Sequence, residues 1–169
     1  MIALAELNAL PADAFIGALQ GIFEHSPWVP AGAADRRPYP SRQALHAAMC
    51  AVVREAGLEA QLGLIRAHPE LAGKAAIAGG LTAASASEQR GAGLDQCSAD
   101  EYAELLDLNH RYHQRHGFPF ILAVRGHTRT SIIASLRERL ARGTPTEIAE
   151  CLRQIEQIAA LRLADLVRE

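Results

Sequence analysis

Aromatic residues are scarce in this chain, at 5%, and runs of β-branched residues are scarcer, so the usual raw material of a sheet is missing. Cysteine appears only three times, as Cys50, Cys97 and Cys151, widely spaced. That set builds neither a disulfide framework nor a CxxC site, so the thiols read as reduced, in a reducing compartment. An excess of one charge is lacking too. The formal net charge is −2 and the pI is near 6.4, which argues against nucleic acid and against an anionic membrane as partners. No apolar run approaches the roughly 20 residues needed to span a bilayer. The opening stretch MIALAELNALPADAF has no basic n-region and carries Glu6 and Asp13, unlike a signal peptide, and LADLVRE at the other end holds no targeting tripeptide. The expected location is the cytoplasm.

Alanine and leucine dominate what is present, and apolar residues recur at helical rather than alternating spacing. With 169 residues, the expectation is a single domain over 1–169, an all-α helical bundle with no sheet and with its active site formed by inter-helix segments. Pro11 suits the first turn of a helix carrying Phe15, Leu19, Ile22 and Phe23. Ser26 to Pro40, with four prolines, reads as an extended loop anchored by Trp28. Ser41 N-caps a helix that runs to Gly57, and another covers about Leu58 to Ala67. Ser98 and Glu101 form a capping box for a helix ending at Gly117. Thr130 or Ser131 opens the next, which ends near Gly143. Thr144, Pro145 and Glu147 then supply cap, first-turn proline and capping-box acid for a last helix to about Val167.

Three segments break this pattern with chemically unusual residues: HPELAGK (His68 to Lys74), SASEQRGAGL (Ser85 to Leu94) and HGFPFILAVRG (His116 to Gly126). His68 precedes Pro69, which ends the preceding helix and is well placed to start a short new one. The imidazole would then lie beside a helix N-terminus that attracts anions and favours a neutral ring able to exchange a proton near pH 7. The plain alternative is a capping histidine. Glu88 stands three residues after Ser85, so it could serve only as a capping-box acid, but Gly91 and Gly93 follow and each weakens a helix by about 1 kcal/mol. Close approach of a ligand or a neighbouring helix would account for them. Phe118 to Val124 is the one strand-like stretch and has no partner strand, so its backbone groups must find other partners, a polar ligand among them. Arg125 adds a fixed cation. His110, His113 and His116 cannot all face one metal on one helix and read as a solvated cluster at its C-terminal end.

The ordered triple, on an all-α background from about Leu10 to Glu169, resembles the OHCU decarboxylases, which act on 2-oxo-4-hydroxy-4-carboxy-5-ureidoimidazoline (OHCU). Its specificity rests on HPELAGK, on Ser85, Glu88, Gln89, Ala92, Gly93 and Leu94, and on FPFILAVRG. The resemblance implies that His68 is the catalytic acid/base, with Pro69 the adjacent backbone contact. It implies a substrate-holding loop of Ser85, Ala86, Ser87, Glu88 and Gln89, with Glu88 the essential carboxylate. Phe120, Ile121, Leu122, Ala123 and Val124 would grip the heterocycle through their backbone, with Arg125 in the polar cluster beside them. His127 departs from the pattern, since many relatives carry arginine there.

The expected function is therefore decarboxylation of OHCU to (S)-allantoin in urate degradation, by a bacterial-type cytoplasmic homodimer that acts on a small molecule. Decarboxylation needs an electron sink, usually a borrowed cofactor. OHCU carries its own, a ring C=N beside the carbon that loses CO2, so neither cofactor nor metal is expected. Two rivals stand beside this reading: a histidine-cluster metallohydrolase, and a non-catalytic helical ligand-binding or adaptor protein.

Overall fold

The computed structural model describes residues 1–73 and 79–169; Lys74, which closes the HPELAGK motif, lies outside them. The elements are β1 (Ile2–Ala3), α1 (Leu4–Ala9), α2 (Ala12–Leu19), α3 (Trp28–Ala34), α4 (Arg42–Glu55), α5 (Leu58–Ala67), α6 (Ala83–Gly91), a 3-10 turn at Leu94–Gln96, α7 (Ala99–His116), α8 (Arg129–Leu140), α9 (Thr144–Leu166) and β2 (Val167–Arg168). The architecture is all-α. Against the expectation of no sheet, the described residues include a two-stranded parallel sheet that pairs Ile2 with Val167 and Ala3 with Arg168. None of the described helices is long and apolar enough to cross a membrane. The chain forms two compact units, Met1–Ala67 with Ile155–Glu169, and His68–Gln154.

In the first unit the proline-rich stretch is not an extended loop. Pro27 is the N-cap of α3, and Pro30 falls in the first turn, where a missing N–H breaks no intrahelical bond. Gly32 then lets α3 lie close against α4, because a Cβ there would meet the Val52 side chain at 2.8 Å. Trp28 opens the helix and is half-buried. Helix α2 stops at Leu19, short of the expected Ile22 and Phe23, yet both remain buried. The turn that carries them is held by Arg162, which donates to the Gly21 carbonyl at 3.1 Å and to Glu24 at 2.7 Å in the interior. Ser41 caps α4 by accepting from Ala44 N–H, and Gly57 takes the left-handed conformation, both as expected.

In the second unit α7 opens on the Ser98–Glu101 capping box and closes on Gly117 at φ 77. Its buried stripe is Leu105, Leu108, Asn109, Tyr112 and His116, the spacing of one helical face. Helix α8 begins at Arg129 on a Thr128 cap, earlier than the expected Thr130 or Ser131. Thr144 proves to be the first residue of α9, and its hydroxyl bonds His116 Nδ1 at 2.9 Å. Glu147 does not turn back as a capping acid. Its carboxylate points inward, to Tyr112 and Arg139.

All three cysteines are unpaired by disulfides. Burial pushes the Cys50 thiol up to about 12, with Glu156 adding to the effect. Cys151 is fully buried and burial raises its thiol too, while half-buried Cys97 is raised for the same first reason. Because thiolate is the reactive form, an Ellman titration of the native protein at pH 8 should show one slow thiol, Cys97. The other two should appear only after denaturation, and fast reaction of two or three equivalents in native buffer would contradict this burial.

Candidate functional site

Each sequence-predicted site residue falls in the second unit, and α7 is the element its parts share. The first motif follows α5 in sequence. His68 is buried, and the residues after it form a turn rather than the expected short helix at Pro69, because Ala72 sits at φ 52. No helix N-terminus therefore stands beside His68 in residues 69–73. Three hydrogen bonds from side chains hold the turn. Ala72 N–H donates to Gln89 Oε1 at 2.9 Å, Gln89 Nε2 donates to the Glu70 carbonyl at 3.3 Å, and Asn109 Nδ2 donates to the Leu71 carbonyl at 2.8 Å. Gly73 is required here, since a Cβ would meet that of Glu70 at 2.8 Å. A left-handed alanine is costly and persists only where its surroundings over-determine it, and Gln89 with Asn109 does so.

Gln89 joins this turn to α6. The cap of α6 is Thr82, which accepts from Ser85 N–H. Ser85 is therefore inside the helix, and Glu88 is not its capping-box partner. Ser85 and Gln89 form the buried face of α6, with Glu88 half-buried and Ser87 exposed. Gly93 is explained by its φ of 74 at the turn into the 3-10 segment, while nothing in the structure explains Gly91, which faces open space. A cavity of about 440 Å³ is lined by Ala72, Ala86, Gln89, Arg90 and Tyr102, among others. At about 100° per residue, Ala86 and Arg90 lie on the flank of α6 opposite to Glu88. Gln89 sits between the two flanks.

The third motif is not a strand. It is an unpaired segment whose backbone is held by side chains. The Ile121 carbonyl accepts from Arg139 Nη1 at 2.6 Å, and Ala123 N–H donates to Gln154 Oε1 at 2.8 Å. Pairing at residues 121 and 123 has the period of two of an extended chain, which turns the groups of Leu122 to the opposite edge. Leu122 is buried and makes no backbone hydrogen bond among the described residues. The rings of Phe118 and Phe120 pack on Tyr112, at 6.1 and 5.4 Å between centroids. Tyr112 thus anchors the third motif one turn along α7 from Asn109, which anchors the first. Arg125 is exposed in the turn that leads to His127, whose Nδ1 meets Ser131 Oγ at 3.0 Å.

Beneath the third motif lies a charged cluster that sequence reasoning missed. Arg139 and Glu147 are 4% and 0% exposed and pair at 2.9 Å. Arg139 also lies 4.4 Å over the Phe120 ring and reaches Cys151 Sγ at 3.4 Å. Burial, the largest single effect, opposes the Arg139 charge, but the hydrogen bond to Glu147 and the fields of Cys151, Glu147 and Tyr112 together outweigh it and hold the guanidinium protonated. Burial pushes the Tyr112 phenol well above its usual range, with Cys151 and Glu147 adding to the rise. The only sequence signal was a polar residue on an apolar helical stripe. That signal exists for Asn109 but depends on the phase of the helix.

The three histidines do not form a cluster. His110 and His113 are exposed, the latter 3.7 Å from Glu70, whereas His116 is buried against Phe118 and Tyr112 rather than solvated. Among the described residues no three His, Cys, Asp or Glu side chains are grouped to hold a metal.

Fold and motifs together define a helical protein with a buried imidazole and a carboxylate-bearing helix joined through one amide side chain. The chain belongs to the OHCU decarboxylase family, whose model matches residues 8–164. It is 40% identical over 169 residues to the "Uric acid degradation bifunctional protein" of Bacillus sp. (strain TB-90), covering 100% of this chain and 33% of that protein. The chain thus spans about a third of the length of that relative. It is also 38% identical over 164 residues to the 2-oxo-4-hydroxy-4-carboxy-5-ureidoimidazoline decarboxylase of Haloferax volcanii, covering 97% of this chain and 95% of that one. Among solved structures, (S)-allantoin synthase superposes with a TM-score of 0.82 at 27% identity, over 99% of this chain and 54% of its own. An OHCU decarboxylase crystallised in the presence of (S)-allantoin shares the fold, with a TM-score of 0.72 at 21% identity over 88% and 96% of the two chains.

His116 yields a pH test. Burial, with Arg115 and Arg139, holds its imidazole below the ordinary value although Glu147 pulls the other way. The unfolded chain therefore takes up this proton first, and the contribution of neutral His116 is complete above about pH 6.5 and lost as pH falls below it. The urea midpoint should drop more between pH 7.5 and 5.0 in the wild type than in His116→Gln. Parallel losses in the two proteins would refute this assignment.

Proposed function

We propose that this protein decarboxylates OHCU to (S)-allantoin, with no cofactor, as a step in urate degradation. The observation that carries the reading is the hydrogen-bonded junction in which Gln89 joins the His68–Gly73 turn to the helix bearing Ser85 and Glu88. Family membership over 8–164 supports it, and because that single match enters both compact units it favours one functional domain over 1–169.

In this mechanism CO2 leaves the carbon next to the ring C=N, and its bonding electrons move onto that ring nitrogen. That nitrogen takes up a proton, the hydroxyl on the carbon that lost CO2 gives up its proton to become the ring carbonyl, and protonation of the neighbouring, ureido-bearing carbon on one face gives the (S) product. His68 is the acid/base that moves these protons, with Pro69 fixing its backbone. Such help is worth about 10²–10⁴-fold, or roughly 3–5 kcal/mol. Glu88 accepts hydrogen bonds from ureido or ring N–H groups, which orients the substrate and strengthens because the acceptor is charged. Ser85, Ser87 and Gln89 shape that wall, while Ala86 lines the cavity on the opposite flank of the helix. Phe120 to Val124 bind the heterocycle through their backbone, and the backbone groups of Leu122, a buried residue with no hydrogen-bond partner among the described residues, are the natural contact, since buried polar groups cost free energy until paired. Arg125 steers the substrate carboxylate. The assembly is a homodimer in the cytoplasm.

Freshly generated OHCU, followed by ultraviolet absorbance, tests the activity directly, and absence of any acceleration by the wild-type protein would sink it. His68→Asn should fold and lose turnover by about 10²-fold or more. Glu88→Gln should be as stable as the wild type to within about 1 kcal/mol, because Thr82 and not Glu88 serves the cap, yet lose most of its activity. Wild-type rates in either variant would remove that residue from the mechanism.

A further inference from the structure

Resting on the reading above, the geometry points to Gln154 and Arg139 as positioning residues: they grip one edge of the Phe120–Val124 backbone and thereby present its other edge to substrate. Neither residue is on the segment it controls. Gln154 projects from α9 and accepts from Ala123 N–H at 2.8 Å, while its own amide donates to Glu150 Oε1 at 2.8 Å. Glu150 is in turn held by Arg153, whose two nitrogens reach both its oxygens. This fixes which way the Gln154 amide faces. An inverted amide would turn its NH2 toward Ala123 N–H and its oxygen toward a carboxylate. Arg139, from α8, sets the Ile121 carbonyl through Nη1 and is oriented by the bond from its Nε to Glu147.

Fold stability alone does not account for such a device. Replacing a buried ion pair by apolar groups of similar volume is often neutral or stabilising, so the Arg139–Glu147 pair is a poor way to fill this core. What it supplies is direction, since a guanidinium offers several donors in one fixed plane. With the groups of Ile121 and Ala123 committed to α8 and α9, the chain cannot rotate about its axis without breaking two hydrogen bonds. Leu122 is then obliged to face the opposite edge.

The test uses the full chain and two variants. Gln154→Leu removes the acceptor for Ala123 N–H. The double variant Arg139→Met with Glu147→Leu removes both buried charges together, so neither is stranded. For both we expect KM for OHCU to rise by about 10-fold, the scale of one lost hydrogen bond, with kcat changed by less than about threefold and an unfolding midpoint near that of the wild type. A purely structural role predicts the reverse, a lowered midpoint with KM unchanged, and that result in the two variants would overturn the proposal. Amide hydrogen exchange provides a readout that needs no turnover. Gln154→Leu should speed exchange over residues 120–124 while α7 stays protected, and unaltered exchange there would also overturn it. Should the wild type fail to turn over OHCU, the proposed activity fails alone, and exchange still decides whether these side chains fix the segment.

Discussion

Arg139 keeps a full positive charge in the interior, and its surroundings answer that charge on every side. The carboxylate of Glu147 neutralises it, the Ile121 carbonyl and the Cys151 sulfur accept from it, and the face of Phe120 lies beneath it. Leaving an ion uncompensated in such a place costs several kcal/mol, so these partners cannot move independently. Tyr112 is drawn in because its hydroxyl donates to the same carboxylate, and Tyr112 in turn seats Phe118 and Phe120. The third motif owes its shape to this requirement, since it has no strand to pair with and no helix of its own. Electrostatic compensation there replaces secondary structure as the source of backbone order.

The first two motifs are ordered by neutral groups. Gln89 and Asn109 are buried amides, the first reaching two backbone positions of the turn and the second one, without a net charge to compensate. They hold Ala72 in a conformation it would not choose alone. A wrong turn geometry would leave these buried amides unsatisfied, at a cost that exceeds the small gain of any single bond.

Much of the fold was legible because helix ends are local. Ser41, the Ser98–Glu101 pair and Gly117 each act within a few residues, so the sequence next to them settles the outcome. Other positions offered two solutions of equal local merit. Thr82 and Ser85 both suit a cap, three residues apart, and the choice of Thr82 follows from the need to bury Ser85 with Gln89. Thr144 and Glu147 have capping-box spacing as well, but Glu147 is captured by Arg139 and Tyr112, whose proximity no local pattern reveals. Pro27 and Pro30 looked like loop residues because proline is usually a breaker, yet both fall where a helix has no use for the missing N–H. For the site, the residues that carry chemistry stood out by type and order. The ones that hold them, Asn109, Arg139, Glu147 and Gln154, are visible only after the chain has folded.

Asn109 and Tyr112 carry a further consequence. One fastens the His68–Gly73 turn and the other the Phe118–Val124 segment, and both project from the same stripe of α7, three residues apart. The helix therefore works as a ruler, with a rise of about 1.5 Å and a rotation of about 100° per residue fixing the offset between two motifs. One inserted or deleted residue between positions 109 and 112 would swing one anchor about a quarter-turn away from the other, however mild the residue. Substitutions at Asp107, His110 and Arg111, on the outer face, leave that offset untouched. Over evolutionary time this stretch is free to change its composition but not its count.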